Sequence, residues 1–180
     1  MSNNNDNIKG NPELVSAEKE LQDLIYAGKL DGNYMVEDFF RNPKKTNFKI
    51  SPDGKHIAFL APHHRRMNIK VRKTDGHESK KITTELDRDI SSFFWAKDDT
   101  IVYVKDRNGD ENFSLFRIRI QEPDEVQELT PYQNTRAQVI DELKDDPEHV
   151  LVSLNKDNPE LFDAYKLNIE TTELTQLHKN

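Results

Sequence analysis

Ser51-Pro52-Asp53-Gly54-Lys55, running straight into His56-Ile57-Ala58-Phe59, decides the fold of this chain. Proline presets φ near the start of a tight turn and glycine enters left-handed space without strain, so the stretch predicts a chain reversal feeding a strand. Segments of period two and strand length lie on either side of it. Residues 48–50, 56–60, 68–72 and 80–83 read as four strands, with Asp75-Gly76 as the next turn signal. The set then recurs at 93–95, 100–104, 113–118 and 126–130, and again at 137–140, 149–154, 163–168 and 173–176.

The recurrence can be checked by spacing. Ile82-Thr83, Leu129-Thr130 and Leu174-Thr175 close the three units, 47 and then 45 residues apart, and Ile69, Leu115 and Ala164 in the third strands are separated by 46 and 49. A period of about 40 to 50 residues with four strands per repeat is the mark of a β-propeller blade. A plain β-sandwich uses the same short hairpins and stands as the alternative. The expected fold is therefore all-β: a partial β-propeller of about three four-stranded antiparallel blades, at 46–84, 90–130 and 136–177, preceded by an N-terminal amphipathic helix. Residues 1–10 are rich in asparagine and poor in anything to bury, and are expected to form a disordered tail. Residues 11–45 are expected to be a helical segment. Asn11 can cap it, Pro12 suits its first turn, Leu14, Ala17, Leu21, Leu24 and Ile25 share one face, and Gly28 supplies a stop. A second short turn is read at Val36–Arg41, ended by Asn42-Pro43.

Composition narrows the function. The 180 residues carry 33 Asp and Glu against 26 Lys and Arg, a net charge of -7, and no cysteine. Thiolate nucleophiles, disulfides and Cys-ligated metals are thereby excluded. No apolar run approaches the roughly 18 to 20 residues that span a bilayer, and no signal-peptide core opens the chain, so a cytoplasmic, non-membrane protein is expected. The acidic balance opposes binding to nucleic acid. Leu, Ile, Val and Phe together make up 45 of the 180 residues. That is above the roughly one-fifth below which disorder is expected, so the chain should fold with many half-exposed elements.

The repeats carry more than a period. Ser51–Phe59 resembles the SPDGK-x-[IL]-[AV]-[FY] signature of TolB-like and prolyl oligopeptidase-like blades, echoed without its glycine at Lys97–Val102 and Lys144–Val150. Val36-Glu37-Asp38-Phe39-Phe40-Arg41-Asn42-Pro43, then Gly109-Asp110-Glu111-Asn112-Phe113, then Leu129-Thr130-Pro131-Tyr132 with Arg136-Ala137, resemble bacterial prolyl oligopeptidase family serine peptidases. The likeness is greatest to their acylaminoacyl-peptidase and dipeptidyl-peptidase-like members. The resemblance implies a propeller that limits access of peptides to a C-terminal α/β-hydrolase domain bearing a Ser-Asp-His triad. The nucleophile elbow of such a domain needs G-x-S-x-G. Glycines at 10, 28, 32, 54, 76 and 109 never flank a serine in that way, so no catalytic residue is assigned within this chain.

One loop stands out as a candidate site. Lys105–Asn112 joins the second and third strands of its blade and carries both charge signs beside a turn glycine. The resemblance implies that such loops orient substrate or hold the domain interface. Arg107, Asp110, Glu111 and Asn112 are the candidate residues: Arg107 to meet a peptide carboxylate or carbonyl, Glu111 an amino terminus or an arginine of the hydrolase domain. A solvated hairpin without a partner remains the alternative. Asp106, Asn108 and Asp110 mimic the opening of an EF-hand, but its glycine position holds Glu111 and its bidentate glutamate position holds Arg117, so no metal is expected there. His63-His64-Arg65-Arg66, followed by Lys70, Arg72 and Lys73, is the basic cluster of the chain and is read as a solvated strand face, with the two histidines on opposite sides and a poor metal pair. Phe93, Phe94 and Trp95 are read as blade-to-blade packing. The Asn112-Phe113-Ser114 sequon is discounted for want of a secretion signal. No cofactor is implied.

The reading that results is the N-terminal propeller part of a prolyl oligopeptidase family serine peptidase, cut before ring closure, gating and orienting peptides for a downstream hydrolase domain. Its open blade edges favour self-association. The alternative is a stand-alone propeller-type module that binds protein or peptide without chemistry of its own.

Overall fold

The structure, a computed structural model, describes residues 44–180 with the exception of Asn108. The tail at 1–10 and the helical readings between 11 and 43 lie outside the described residues, as does Asn108 of the EF-hand-like spacing. Twelve strands form three four-stranded antiparallel sheets, each in the order of its strands along the chain. The first holds β1 (Thr46–Ile50), β2 (His56–His63), β3 (Arg66–Lys73) and β4 (Ser79–Lys81). The second holds β5 (Ser92–Trp95), β6 (Thr100–Lys105), β7 (Ser114–Arg119) and β8 (Glu122–Glu128). The third holds β9 (Ala137–Asp141), β10 (His149–Leu154), β11 (Asp163–Asn168) and β12 (Leu174–His178).

The turn after β1 forms as its residues dictate. Gly54 takes φ 73°, and its N–H donates to the Ser51 carbonyl at 2.9 Å. The Ser51 hydroxyl donates to Asp53 at 2.7 Å and accepts from the His56 N–H at 2.9 Å. That hydroxyl, followed by the Lys55 N–H, holds the Asp53 carboxyl down at about 2. The other two units lack the glycine and solve the reversal differently. Between β5 and β6 no described residue has positive φ, and the Ala96 N–H donates to the Thr100 carbonyl at 2.9 Å while the Thr100 N–H donates to the Lys97 carbonyl at 3.3 Å, closing a short turn. Between β9 and β10, Leu143 itself adopts φ 48°, and Asp146 receives His149 Nδ1 at 2.9 Å and Lys166 at 2.8 Å.

Packing alternates with the pleat. In the second sheet Phe93, Trp95, Ile101 and Tyr103 face the first sheet, meeting Leu60, Ile69 and Ile82. Phe94, Val102 and Leu115 face the third, meeting Val152, Tyr165 and Leu167. The inner strands β5 and β6 of the middle sheet are thus buried on both faces, which explains why they read as near-continuous apolar runs, whereas β8 is charged and largely exposed. Phe93, Phe94 and Trp95 pack between sheets as the sequence suggested. The first strands of the three sheets converge: Trp95 Nε1 donates to the Lys49 carbonyl at 3.1 Å, and Lys49 Nζ meets Glu142 at 3.1 Å.

One element of the repeat arithmetic is corrected. Ile82-Thr83 and Leu129-Thr130 follow β4 and β8, and each threonine hydroxyl accepts the backbone N–H of a third-strand residue, Ile69 at 2.8 Å and Leu115 at 2.9 Å. Leu174-Thr175 instead opens β12, and Leu174 packs back toward the second sheet. Ala164, the counterpart of Ile69 and Leu115, faces His178 across the ladder, so His178 holds the place of Ile82 and Leu129, and Leu177 is the extra residue of the bulge beside it. A bulge between Ala164 and Tyr165 shifts the register, and this is what the dipeptide match concealed. Ile82 and Leu129 are buried against the next sheet, whereas Leu177 is 56% exposed.

Candidate functional site

The loop after β6 is held by residues far from it in sequence. Asp106, 3% exposed, receives Arg88 Nε at 2.9 Å. The Arg88 hydrogen bond keeps its carboxyl below the usual range despite burial. Arg88 comes from the connection between the first two sheets, and its guanidinium also lies against Gly109. Gly109 sits at φ 84°, a conformation that residues with a Cβ rarely adopt, so glycine suits the position. Glu111 follows at φ 60°. Asp110 accepts the Asn112 N–H at 3.0 Å and the Arg107 N–H at 3.4 Å, a side-chain-to-backbone turn of the kind aspartate favours.

Of the four candidate residues, Arg107, Asp110 and Asn112 are brought together around a 160 Å³ hollow completed by Ser114, Tyr132 and Asn134. Glu111 does not line it and leaves its side chain exposed. Nη2 of Arg107 already donates to both oxygens of the Glu128 carboxylate, so its charge is answered from within the fold. A peptide carboxylate at Arg107 would share the guanidinium with Glu128. Arg88, Glu128 and Tyr132 are the residues that sequence reading missed. They lie 16 to 20 positions from the nearest residue of the loop and are brought to it only by the fold, so no local pattern marks them.

The histidine pair departs from its expected geometry. His64 and Arg65 both enter positive φ, at 47° and 69°, in the two-residue turn between β2 and β3. The turn, where the alternation of an extended strand no longer holds, brings the His63 and His64 ring centroids to 4.3 Å in an edge contact. Lys81 Nζ stands 3.2 Å from His63 Nε2. Burial, then Lys81 and His64, lower the His63 pKa. Among the described residues no group of three His, Asp or Glu is arranged to hold a metal. No helix among them is long and apolar enough to cross a membrane.

Comparison with known proteins adds relatives. The chain is 30% identical over 171 residues to dipeptidyl aminopeptidase BIII of Pseudoxanthomonas mexicana, covering 94% of this chain and 24% of that one. It is 28% identical over 152 residues to dipeptidyl peptidase family member 6 of Caenorhabditis elegans, covering 80% and 20%. The chain thus spans about a quarter or less of the length of the curated relatives it matches. No family model matches it. Among solved structures, the acylaminoacyl peptidase of Pyrococcus horikoshii superposes with a TM-score of 0.56 at 19% identity, over 77% of this chain and 26% of that one. The putative TolB of Agrobacterium tumefaciens superposes at 0.55 and 14% identity, over 76% and 47%. These two likenesses are of fold.

Proposed function

We propose that this chain, which belongs in sequence and fold with the propeller region of prolyl oligopeptidase family peptidases, gates and orients peptides for an α/β-hydrolase domain whose triad lies outside these 180 residues. Its described residues would then be three consecutive blades, with 46–180 as the propeller part. The likeness to a dipeptidyl aminopeptidase along 94% of the chain carries this reading. The outer face of the third sheet supports it. Leu177 and Ile140 are exposed there, at 56% and 55%, and Ala164 with His178 opposite it holds the place at which Ile69 with Ile82, and Leu115 with Leu129, receive the sheet that follows. We assign that face to a further blade.

Within the same reading, the loop at Arg107, Asp110, Glu111 and Asn112 contacts substrate or the hydrolase domain, with Glu111 offering the one carboxylate of the loop that no described group engages. Charge reversal at Glu111 in the full-length peptidase should alter peptide hydrolysis, and unchanged kinetics would remove the role. The whole reading is tested on the native gene product, detected with an antibody against this segment. A species several times heavier than 21.0 kDa that reacts with a fluorophosphonate is expected. An unlabelled species of 21.0 kDa would replace the reading with that of a stand-alone interaction module.

A further inference from the structure

Charge is distributed unevenly over the three sheets. Residues 46–81 carry nine Lys and Arg against three Asp and Glu, whereas 137–178 carry three against ten. Part of the positive excess is gathered in a concavity at the seam between the first and second sheets. There a 310 Å³ pocket has His56, Lys73, Glu78 and Lys80 in its walls and Val71, Ile82 and Ile120 as its floor. A second hollow, of 510 Å³, adjoins it through His56 and Lys73 and adds Thr74, Asp75 and Lys55, the last paired with Asp53 at 3.1 Å.

The cations in this pocket are not answered by carboxylates among the described residues. Lys80 Nζ reaches only the Ile120 carbonyl, at 3.4 Å. Arg72, at the rim, donates to the carbonyls of Lys73, Thr74 and Gly76 at 3.0, 3.2 and 2.7 Å, which fixes the turn before β4 and leaves its charge in place. Lys73 makes no ion pair there, and Glu78 is the one carboxylate in the walls, itself unpaired among the described residues. His56 Nδ1 is buried and makes no hydrogen bond, so nothing anchors the ring through that atom. Like charges held over apolar walls focus a positive potential into the cleft.

We propose that this seam binds an organic anion, a carboxylate on a short apolar chain. The carboxylate lies between Lys73 and Lys80 beside the His56 ring, and the chain covers Ile82 and Ile120. Charge-assisted hydrogen bonds from two ammonium groups supply the affinity for the head. The apolar floor separates this ligand from a bare phosphate, which would leave the floor wet and would bring a second negative charge toward Glu78.

Titration of the chain with hexanoate, followed by amide chemical shifts, tests the assignment. Saturable shifts are expected at His56, Lys80 and Ile120, with hexanol and inorganic phosphate each binding at least about tenfold more weakly. Lys73→Glu and Lys80→Glu should each weaken hexanoate about tenfold without lowering the melting temperature. Glu78→Gln, which removes the like charge, should tighten it and serves as the second variant if a reversal fails to fold. Absence of saturable shifts, equal affinity for hexanol or phosphate, or hexanoate affinity indifferent to Glu78→Gln would each overturn the assignment.

Discussion

Removing Glu170 should loosen the seam between the second and third sheets by more than any ordinary surface ion pair is worth. Its carboxylate, in the turn between β11 and β12, accepts Lys97 Nζ at 3.0 Å, Arg119 at 2.8 Å and the Arg117 guanidinium, all from the second sheet. Burial alone would raise its pKa, but the Lys97 hydrogen bond and the Arg117 and Lys97 charges outweigh this and set it below the ordinary value. Side-chain exposure is 29% for Glu170, 12% for Arg117, 30% for Lys97 and 36% for Arg119. A hydrogen bond to a charged group is worth about 1.5 to 3 kcal/mol when buried and an exposed ion pair about 0.2 to 1, so partial exposure places each of these between the two. About 1 kcal/mol each for Arg117 and Lys97 and about 0.5 for Arg119 gives about 2 to 3 kcal/mol lost in Glu170→Ala. Urea denaturation at pH 7 measures it, with Glu173→Ala on the same turn as a control expected within about 0.5 kcal/mol of the parent. A double-mutant cycle with Arg117→Ala should return a coupling of about 1 kcal/mol. Because the folded pKa lies below the unfolded one, this stability is fully present above about pH 4.3 and fades as the pH falls through the folded value. A loss no larger than the control's, or additive single mutants, would refute the argument that charge clamps this seam.

Four further outcomes follow from other parts of the fold. His64→Asn with Arg65→Gly should raise stability by about 1 kcal/mol in thermal melts, because φ of 47° and 69° suits those residues and strains the present ones; no change or a loss would count against strain at this turn. The Asp53 and Asp146 carboxyls, both held down at about 2, are depressed groups, so their contribution is complete above about pH 4 and is lost toward pH 2. Melting temperature measured across that window should fall less steeply in Ser51→Ala, which removes the main cause of the Asp53 shift. Leu129→Ala should destabilise by about 2 to 5 kcal/mol and Leu177→Ala by under about 0.5 kcal/mol, because Leu129 is fully buried between sheets and Leu177 is exposed. If the open third sheet self-associates, Leu177→Lys should abolish the concentration dependence of its sedimentation.

The sequence was legible where the signal was local. Strand period and turn chemistry depend on neighbours a few residues apart, and together with the recurrence of Ile69, Leu115 and Ala164 along the chain they sufficed for three four-stranded antiparallel units. Legibility failed at the His63-His64 pair, where two non-glycine residues adopt positive φ against their own preference. It failed again at Leu174-Thr175, where the tidy dipeptide lies on the wrong side of a bulge.

The candidate loop shows the same division. Its charge, its glycine and its place between two strands could be read from residues 105–112 alone. The occupation of Arg107 by Glu128 and the anchoring of Asp106 by Arg88 required the tertiary structure. So did the gathering of Lys73 and Lys80 around one apolar floor. Backbone propensity and hydrophobic period act over a turn or a strand and are therefore written into consecutive residues. The partner of a charged side chain is selected by which strands pair and which sheets stack, and that selection exists only once the chain has closed its long loops and buried the core.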